Sequence, residues 1–167
     1  MANAKELMGD GKFDKKRTLA FLADHLPAPL DAEQLLKEAM LRAKTDGKYV
    51  FVQETALGCP PCWKLTRFLA AHRRELERDF VWVQLDYRWH GINRVLARLR
   101  DSEEHGVPWY AILDAEGKVL ISSVDGEGHN IGYPATPKDR GCFRQMRERA
   151  ATRLTKEEIA ALTDALR

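Results

Sequence analysis

The stretch YVFVQETALGCPPCWKLTRFL, residues 49–69, combines a strand pattern, a short loop and the start of a helix pattern. Its first four residues are a continuous apolar run of β-forming types, which predicts a strand buried on both faces, as in a parallel sheet. After the loop, helical spacing links a set of side chains into one face: Leu65, Phe68, Leu69, His72 and Leu76. Cys59 and Cys62 therefore lie where a strand ends and a helix begins.

Helix and strand patterns alternate on both sides of this stretch. An N-cap at Asp31 and a C-cap at Gly47 bound a predicted helix before it. After it, strands are predicted at 80–85, 107–113 and 118–123, and a hairpin turn at 114–117. Helices are predicted from Ile92 to near Gly106, at 143–151 and from Thr155. This order predicts an α/β fold with a central mixed sheet of four or five strands and helices on both faces. Its strands are expected to be parallel, closed by one antiparallel hairpin.

The chain is predicted to contain one domain behind an N-terminal extension. Residues 1–30 form the extension, with a short helix over 15–26 that Pro27 ends. The domain spans residues 31–167 and carries an insertion at about 125–154. The first part of that insertion, 125–141, is rich in Gly, Pro, Asn and Asp and is predicted to be a loop.

Composition excludes several classes of partner. The net charge is +2, too small to indicate nucleic-acid binding, and no run of 18 apolar residues predicts a membrane span. Residues 1–14 lack the apolar core of a secretory signal. We therefore expect a cytoplasmic monomer, or a periplasmic or other extracytoplasmic one if a signal has been removed.

The cysteine pair suits thiol–disulfide exchange. A sulfur at a helix N-terminus lies near unpaired backbone N–H groups and the positive end of the helix dipole, which favour a thiolate. Cys62 is on the same side of the first turn but deeper. This predicts an exposed nucleophile, Cys59, and a resolving thiol, Cys62. Proline is tolerated in the first helical turn, yet Pro60 and Pro61 also remove two N–H donors.

Other interpretations of the pair remain open. The two cysteines could be buried small residues at chance spacing. They could bind zinc if Cys142 and a histidine such as His129 completed four ligands, but no second close pair exists and no metal is predicted. A c-type haem attachment is excluded because Trp63 stands where a histidine is needed. The domain could also be a non-catalytic binding module or chaperone that presents a peptide groove. Cys142 is expected to be a packed or idle thiol.

Residues 49–69 resemble the strand, C-x-x-C motif and helix of the thioredoxin superfamily. Gly106-Val107-Pro108 is a second match, similar to the glycine, aliphatic and cis-proline signature of that family, and Pro108 lies 46 residues after Cys62. The predicted hairpin follows as in the family, so the resemblance covers about residues 32–124. The C-P-P-C motif resembles that of tryparedoxins, nucleoredoxins and bacterial thioredoxin-like proteins, and the lead-in AEQLLKEAMLRAKTDGKYVFV is more like the bacterial branch.

The resemblance implies a thioredoxin-like domain that acts as a protein disulfide oxidoreductase, more specifically a reductase. Its redox-active pair would be Cys59 and Cys62, with no other cofactor. Pro108 would be cis and face the pair, and the Val107 backbone would pair with a substrate peptide as an extra strand. The implied partners are a protein or peptide disulfide and an unidentified electron donor or acceptor.

Several positions depart from the family pattern. Gly58 replaces the usual Trp before the first cysteine, and Gln53 replaces a buried acid. Glu54 is adjacent, but in a strand it would point to the opposite face. Trp109 follows Pro108 where Thr is common, and is expected to line the substrate groove beside Gly58. The other three tryptophans, Trp63, Trp82 and Trp89, are expected to pack. Residues 128–134 are expected to form a lid, a partner surface or a plain loop. These departures predict a specialised substrate.

Overall fold

The computed structural model describes residues 30–100 and 106–166. In chain order its elements are α1 (Ala32–Asp46), β1 (Tyr49–Thr55), α2 (Pro60–Ala71), α3 (Arg73–Leu76), β2 (Phe80–Asp86), α4 (Ile92–Leu99), β3 (Trp109–Leu113), β4 (Val119–Ser122), α5 (Pro137–Ala150) and α6 (Lys156–Asp164). The helix predicted over 15–26 lies outside the described residues. Within them, no helix has the length and hydropathy of a membrane span.

The four strands form one mixed sheet in the order β2-β1-β3-β4. β1 pairs with β2 in parallel, whereas β3 is antiparallel to both β1 and β4. The predicted α/β class is confirmed, but the expectation that β3 runs parallel to β1 is wrong. Eight residues of α4 rise only about 12 Å, about half the length of a seven-residue strand. β3 begins at the carboxyl end of β1, where Glu54 pairs with Trp109, so the chain re-enters the sheet at the same end from which β2 leaves it.

Apolar side chains cover both faces of the sheet. On one face α1 and α4 pack against alternate strand residues, including Val50, Val52 and Ala111. On the other face α2, α5 and α6 pack against the intervening residues, including Phe51, Tyr110 and Ile112. β1 is buried on both sides, as its continuous apolar run predicted, and β3 is buried on both sides as well. The cysteine-bearing helix thus belongs to the second layer.

Helix boundaries follow local capping. Asp31 and Gly47 cap α1 as predicted. α5 begins at Pro137, six residues before the predicted start, because Thr136 and Asp139 form a reciprocal capping box there. The segment predicted to be an insertion therefore contributes Phe143, Met146 and Ala150 of α5 to the core. The long helix predicted from Pro60 instead breaks after Ala71 into α2 and α3.

Two buried charged groups hold the carboxyl-terminal helices. The Asp79 carboxylate, fully buried before β2, accepts hydrogen bonds from the backbone N–H groups of Thr152, Arg153 and Leu154. Arg147 of α5 is also fully buried; it donates to the Thr163 hydroxyl at 3.0 Å, and its guanidinium lies 4.4 Å from the Phe143 ring centroid. Burial lowers the pKa of Arg147 to about 10.

Candidate functional site

Cys59 and Cys62 are joined by a disulfide at the N-terminus of α2. Cys59 is the N-cap of the helix and is partly exposed, whereas Cys62, in the first turn, is 0% exposed. The predicted asymmetry between an accessible and a buried sulfur is therefore present. An incoming thiol or disulfide can contact Cys59 without any change in the packing of α2.

Few backbone donors face the accessible sulfur. The Cys62 N–H donates to Cys59 Sγ at 3.2 Å. Pro60 and Pro61, the first two residues of the helix, have no N–H to offer. The helix N-terminus therefore supplies less hydrogen bonding to Cys59 than an ordinary first turn would supply.

The Gly106–Pro108 loop lies directly against the disulfide. The peptide bond between Val107 and Pro108 is cis, as the sequence resemblance implied. The Val107 carbonyl oxygen is 3.8 Å from Cys59 Sγ, and Val107 itself is partly exposed. An extended peptide bound to Cys59 would thus have polar backbone of this loop within reach.

Asn130, which the sequence did not identify, fixes this loop. Its side-chain nitrogen donates to the carbonyls of Gly106 and Pro108, and its side-chain oxygen accepts from the Ser123 hydroxyl at 2.8 Å. Residues 123–131 form a small hairpin in which Val124 and Asn130 are bridged. In the sequence Asn130 carries only a turn signal, because nothing links it to a loop more than twenty residues earlier.

Gln53 occupies the predicted position beneath α2 as part of a neutral network. It is 0% exposed and donates to the Thr66 hydroxyl at 3.0 Å. Its oxygen accepts from the Trp82 indole N–H, and Gln84 also donates to Thr66. The nitrogen and the oxygen of the Gln53 amide are therefore both hydrogen-bonded, and no carboxylate is present at this position.

Glu54 and Trp109 lie on the other face of the sheet. Glu54 forms a buried ion pair with Arg100, whose guanidinium carbon is 5.1 Å from the Trp109 ring centroid. Trp109 is 1% exposed and packs with the α1 and α4 layer. The prediction that Trp109 lines the substrate groove is therefore wrong, because strand alternation turns its side chain away from the cysteines.

Gly58 and Trp63 flank the pair on the surface. Gly58 has φ +79°, a left-handed conformation that favours glycine over a bulky residue. Trp63 is 54% exposed, so the expectation that it packs is wrong. The buried positions of α2 are Cys62, Leu65, Phe68 and Leu69, and Trp63 falls outside that face.

The alternative zinc site is not assembled. Among residues 30–100 and 106–166, the group of potential metal ligands within 4.8 Å of one another is Asp125, Glu127 and His129, without any cysteine. Lys138 forms ion pairs with both of those acids. Cys142 is an unpaired, partly exposed thiol.

Comparison with known proteins agrees with this geometry. A family model described as thioredoxin-like matches residues 31–115, just over half of the chain. A disulphide isomerase from Xylella fastidiosa Temecula1 is similar in structure with a TM-score of 0.54 at 17% identity, covering 84% of this chain and 94% of that one. Thioredoxin O1 from Arabidopsis thaliana in its oxidized state has a TM-score of 0.48 at 16% identity, covering 73% and 94%. A comparison with curated proteins finds no match.

Proposed function

The chain belongs to the thioredoxin-like family, and we propose that it is a protein disulfide oxidoreductase that works as a reductase. One observation carries the proposal. A disulfide at a helix N-terminus joins a partly exposed sulfur to a fully buried one. This is the arrangement that exchange through a mixed disulfide requires, with a nucleophile open to substrate and a resolving thiol held behind it.

The proposed reaction transfers two electrons from the dithiol to the substrate. The Cys59 thiolate attacks one sulfur of a substrate disulfide; that S–S bond breaks, and the departing substrate thiolate takes up a proton from water. Cys62, having released its proton to water, attacks Cys59 and displaces the second substrate thiolate, which is protonated in turn. The protein ends as the Cys59–Cys62 disulfide and the substrate as two thiols. A dithiol donor must then reduce the protein again.

The reductive direction is supported by the donors around Cys59. A redox pair becomes a strong oxidant when its reduced form is stabilised. Here the Cys62 N–H is the backbone donor to Cys59 Sγ, since Pro60 and Pro61 provide none. The thiolate is therefore weakly stabilised, and the reduced protein gives up its electrons more readily. The free thiol of Cys142 also suits a reducing compartment such as the cytoplasm, where we place the reaction.

Substrate recognition is proposed to use the backbone next to the disulfide. The Val107 carbonyl lies 3.8 Å from Cys59 Sγ, which supports pairing of Val107 with an extended substrate strand. Pro108 and Gly58 adjoin Val107 and Cys59 in the chain and are proposed to contact the same substrate segment; Gly58 has nothing within 4 Å of the position where a Cβ would be. The substrate class is a protein or peptide disulfide.

The proposal is tested by the redox equilibrium of the pair and by turnover. We expect a potential near that of thioredoxin, about −270 mV, and reduction of insulin disulfides with dithiothreitol as electron donor. Cys59→Ser should abolish turnover, Cys62→Ser should accumulate mixed disulfide, and Cys142→Ser should leave both unchanged. A potential near about −120 mV would mean an oxidant instead.

A non-catalytic peptide-binding module is the second candidate. The observation in its favour is that the network beneath Cys62 is neutral, with the Gln53 amide hydrogen-bonded at both ends. Such a site offers no carboxylate at that position to accept the Cys62 proton. A module would bind insulin but fail to reduce it, and its binding would persist in the Cys59→Ser/Cys62→Ser double variant.

A further inference from the structure

A groove opens beside Cys59 on the side facing β2, whereas the Val107 loop borders Cys59 on the side facing β3. It is lined by the ends of β1 and β2 and by α2, through Ala56, Leu57, Trp63, Thr66, Arg67 and Asp86. Because β1 lies between β2 and β3 in the sheet, the groove and the Val107 loop occupy opposite sides of the cysteine. A bound substrate could therefore engage both.

Exposed apolar side chains concentrate at this end of the molecule. Leu57 is 67% exposed and Trp63 54% exposed, and Tyr87, which follows β2, is also exposed. They account for three of the six large exposed apolar residues within the described part of the chain. Single exposed apolar residues are ordinary, but a cluster beside a reactive sulfur indicates a contact surface.

The helix arranges this surface into a line. Trp63 and Arg67 follow Cys59 at intervals of four residues, so the three positions share one face of α2. Successive positions are separated by about 6 Å along the helix axis, the rise of four residues. An extended peptide covers about the same distance in two residues.

The unbalanced charge in the groove is positive. Asp86 is held by Arg88 through two hydrogen bonds, and this contact keeps the pKa of Asp86 below its ordinary value although burial opposes it. Arg67 is exposed and, within the described residues, forms no ion pair. An acidic partner group would find an unpaired guanidinium there.

We propose that the groove holds the substrate segment next to the attacked cysteine, and that it selects an apolar side chain two residues from that cysteine and an acidic one four residues from it. This inference rests on the proposed oxidoreductase function. The apolar side chain packs between Leu57 and Trp63, and the carboxylate pairs with Arg67. The groove thus adds side-chain specificity to the backbone pairing proposed for Val107.

The test uses reduced full-length protein and synthetic peptide homodimers, each linked by one disulfide. One type carries Trp and Glu at the second and fourth positions from Cys, in either chain direction; the other carries Ser and Lys there. Two Trp/Glu dimers are compared, one for each chain direction. We expect the one that is reduced faster to react at least ten times faster than the Ser/Lys dimer of the same chain direction. Trp63→Ala and Arg67→Glu should each remove most of that preference, while Arg74→Glu, an exposed change on α3, should keep it.

A small neutral disulfide separates this inference from the proposed function. The parent and Arg74→Glu should reduce bis(2-hydroxyethyl) disulfide at rates within twofold of each other, because Arg74 lies outside the groove. For Trp63→Ala and Arg67→Glu, each peptide rate is divided by the rate of the same variant on this small disulfide, so that a lost preference is separated from a general loss of reactivity. Equal rates on both peptide types would overturn the groove proposal and leave the oxidoreductase in place. Failure to reduce any of these disulfides would overturn the oxidoreductase and the groove proposal together.

Discussion

The Asn130 side-chain nitrogen lies 3.1 Å from the Pro108 carbonyl oxygen and donates a hydrogen bond to it. The same nitrogen donates to Gly106, while Ser123, which accepts from the Tyr110 N–H, donates to the Asn130 oxygen. One amide therefore ties the loop beside the disulfide to the start of β3. The loop depends on a side chain from the hairpin for its shape.

Replacement of Asn130 should affect both stability and reactivity. Asn130→Ala leaves two backbone carbonyls without their donor, and we expect a loss of about 1–3 kcal/mol in the free energy of unfolding. We also expect slower reduction of insulin at a temperature where the variant is fully folded. Urea unfolding and turnover measure the two effects. His129→Ala, an exposed neighbour, is the control; an Asn130 variant as stable and active as this control would show that the amide holds nothing in place.

Gln53→Glu tests the neutral network beneath α2. Burial raises the pKa of a carboxyl above its ordinary value of about 4.3. The folded variant then favours the protonated form, so its stability falls as the pH rises from the ordinary value through the raised one. We expect a deficit of about 1–3 kcal/mol at pH 8 that largely disappears at about pH 4, below the ordinary pKa. Urea unfolding at both pH values measures it, with Gln84→Glu, at a partly exposed position of the same network, as a milder control. A deficit independent of pH would contradict the prediction.

The buried pair of Glu54 and Arg100 should behave as a unit. Removing one partner leaves an unpaired buried charge, so Glu54→Leu alone is expected to cost about 3–5 kcal/mol, and so is Arg100→Met. The double variant should recover most of this loss because no charge remains in the α1 and α4 layer. A double-mutant cycle by chemical denaturation measures the coupling. Additive losses would show that the two side chains act independently.

The hydrogen bonds between the Asp79 carboxylate and the segment joining α5 to α6 should be lost at low pH. Burial raises the pKa of Asp79, but hydrogen bonds from Thr152, Arg153 and Leu154 outweigh that effect and leave the pKa lowered. Its contribution to stability is therefore complete above the ordinary value of 3.8 and is lost as the pH falls through the lowered one. We expect Asp79→Ala to cost about 2–4 kcal/mol at pH 7, and the gap from the parent to narrow below pH 3. A gap that stays constant with pH would rule out the carboxylate as its source.

Local patterns in the sequence predicted most of the fold and the position of the cysteine pair. The apolar run of β1, the caps Asp31 and Gly47, and the Gly106–Pro108 signature each depend on neighbours close in sequence. The direction of β3 was not predictable in this way, because alternation of helices and strands does not say at which end of the sheet the chain returns. The start of α5 was missed because Gly141 and Pro137 look like loop residues, although proline suits a first helical turn.

Site details that depend on distant contacts were harder to predict. Asn130 reaches Gly106 across 24 residues, and no local pattern reports that contact. Trp109 follows the proline of the loop, which suggested a surface role, but its position in β3 turns the ring toward Arg100. The opposite placements of Gln53 and Glu54 were predictable because strand alternation alone fixes them.

The buried guanidinium of Arg147 connects the helix that carries the cysteines to the last helix of the chain. It lies near the ring of Phe68 on α2 and donates to Thr163 on α6. A load applied at the carboxyl terminus, by a fused domain or a surface tether, would displace α6 first. The hydrogen bond from Arg147 to Thr163 would then break. The helix that carries both cysteines would lose packing next, so an immobilised form of the protein should be attached elsewhere.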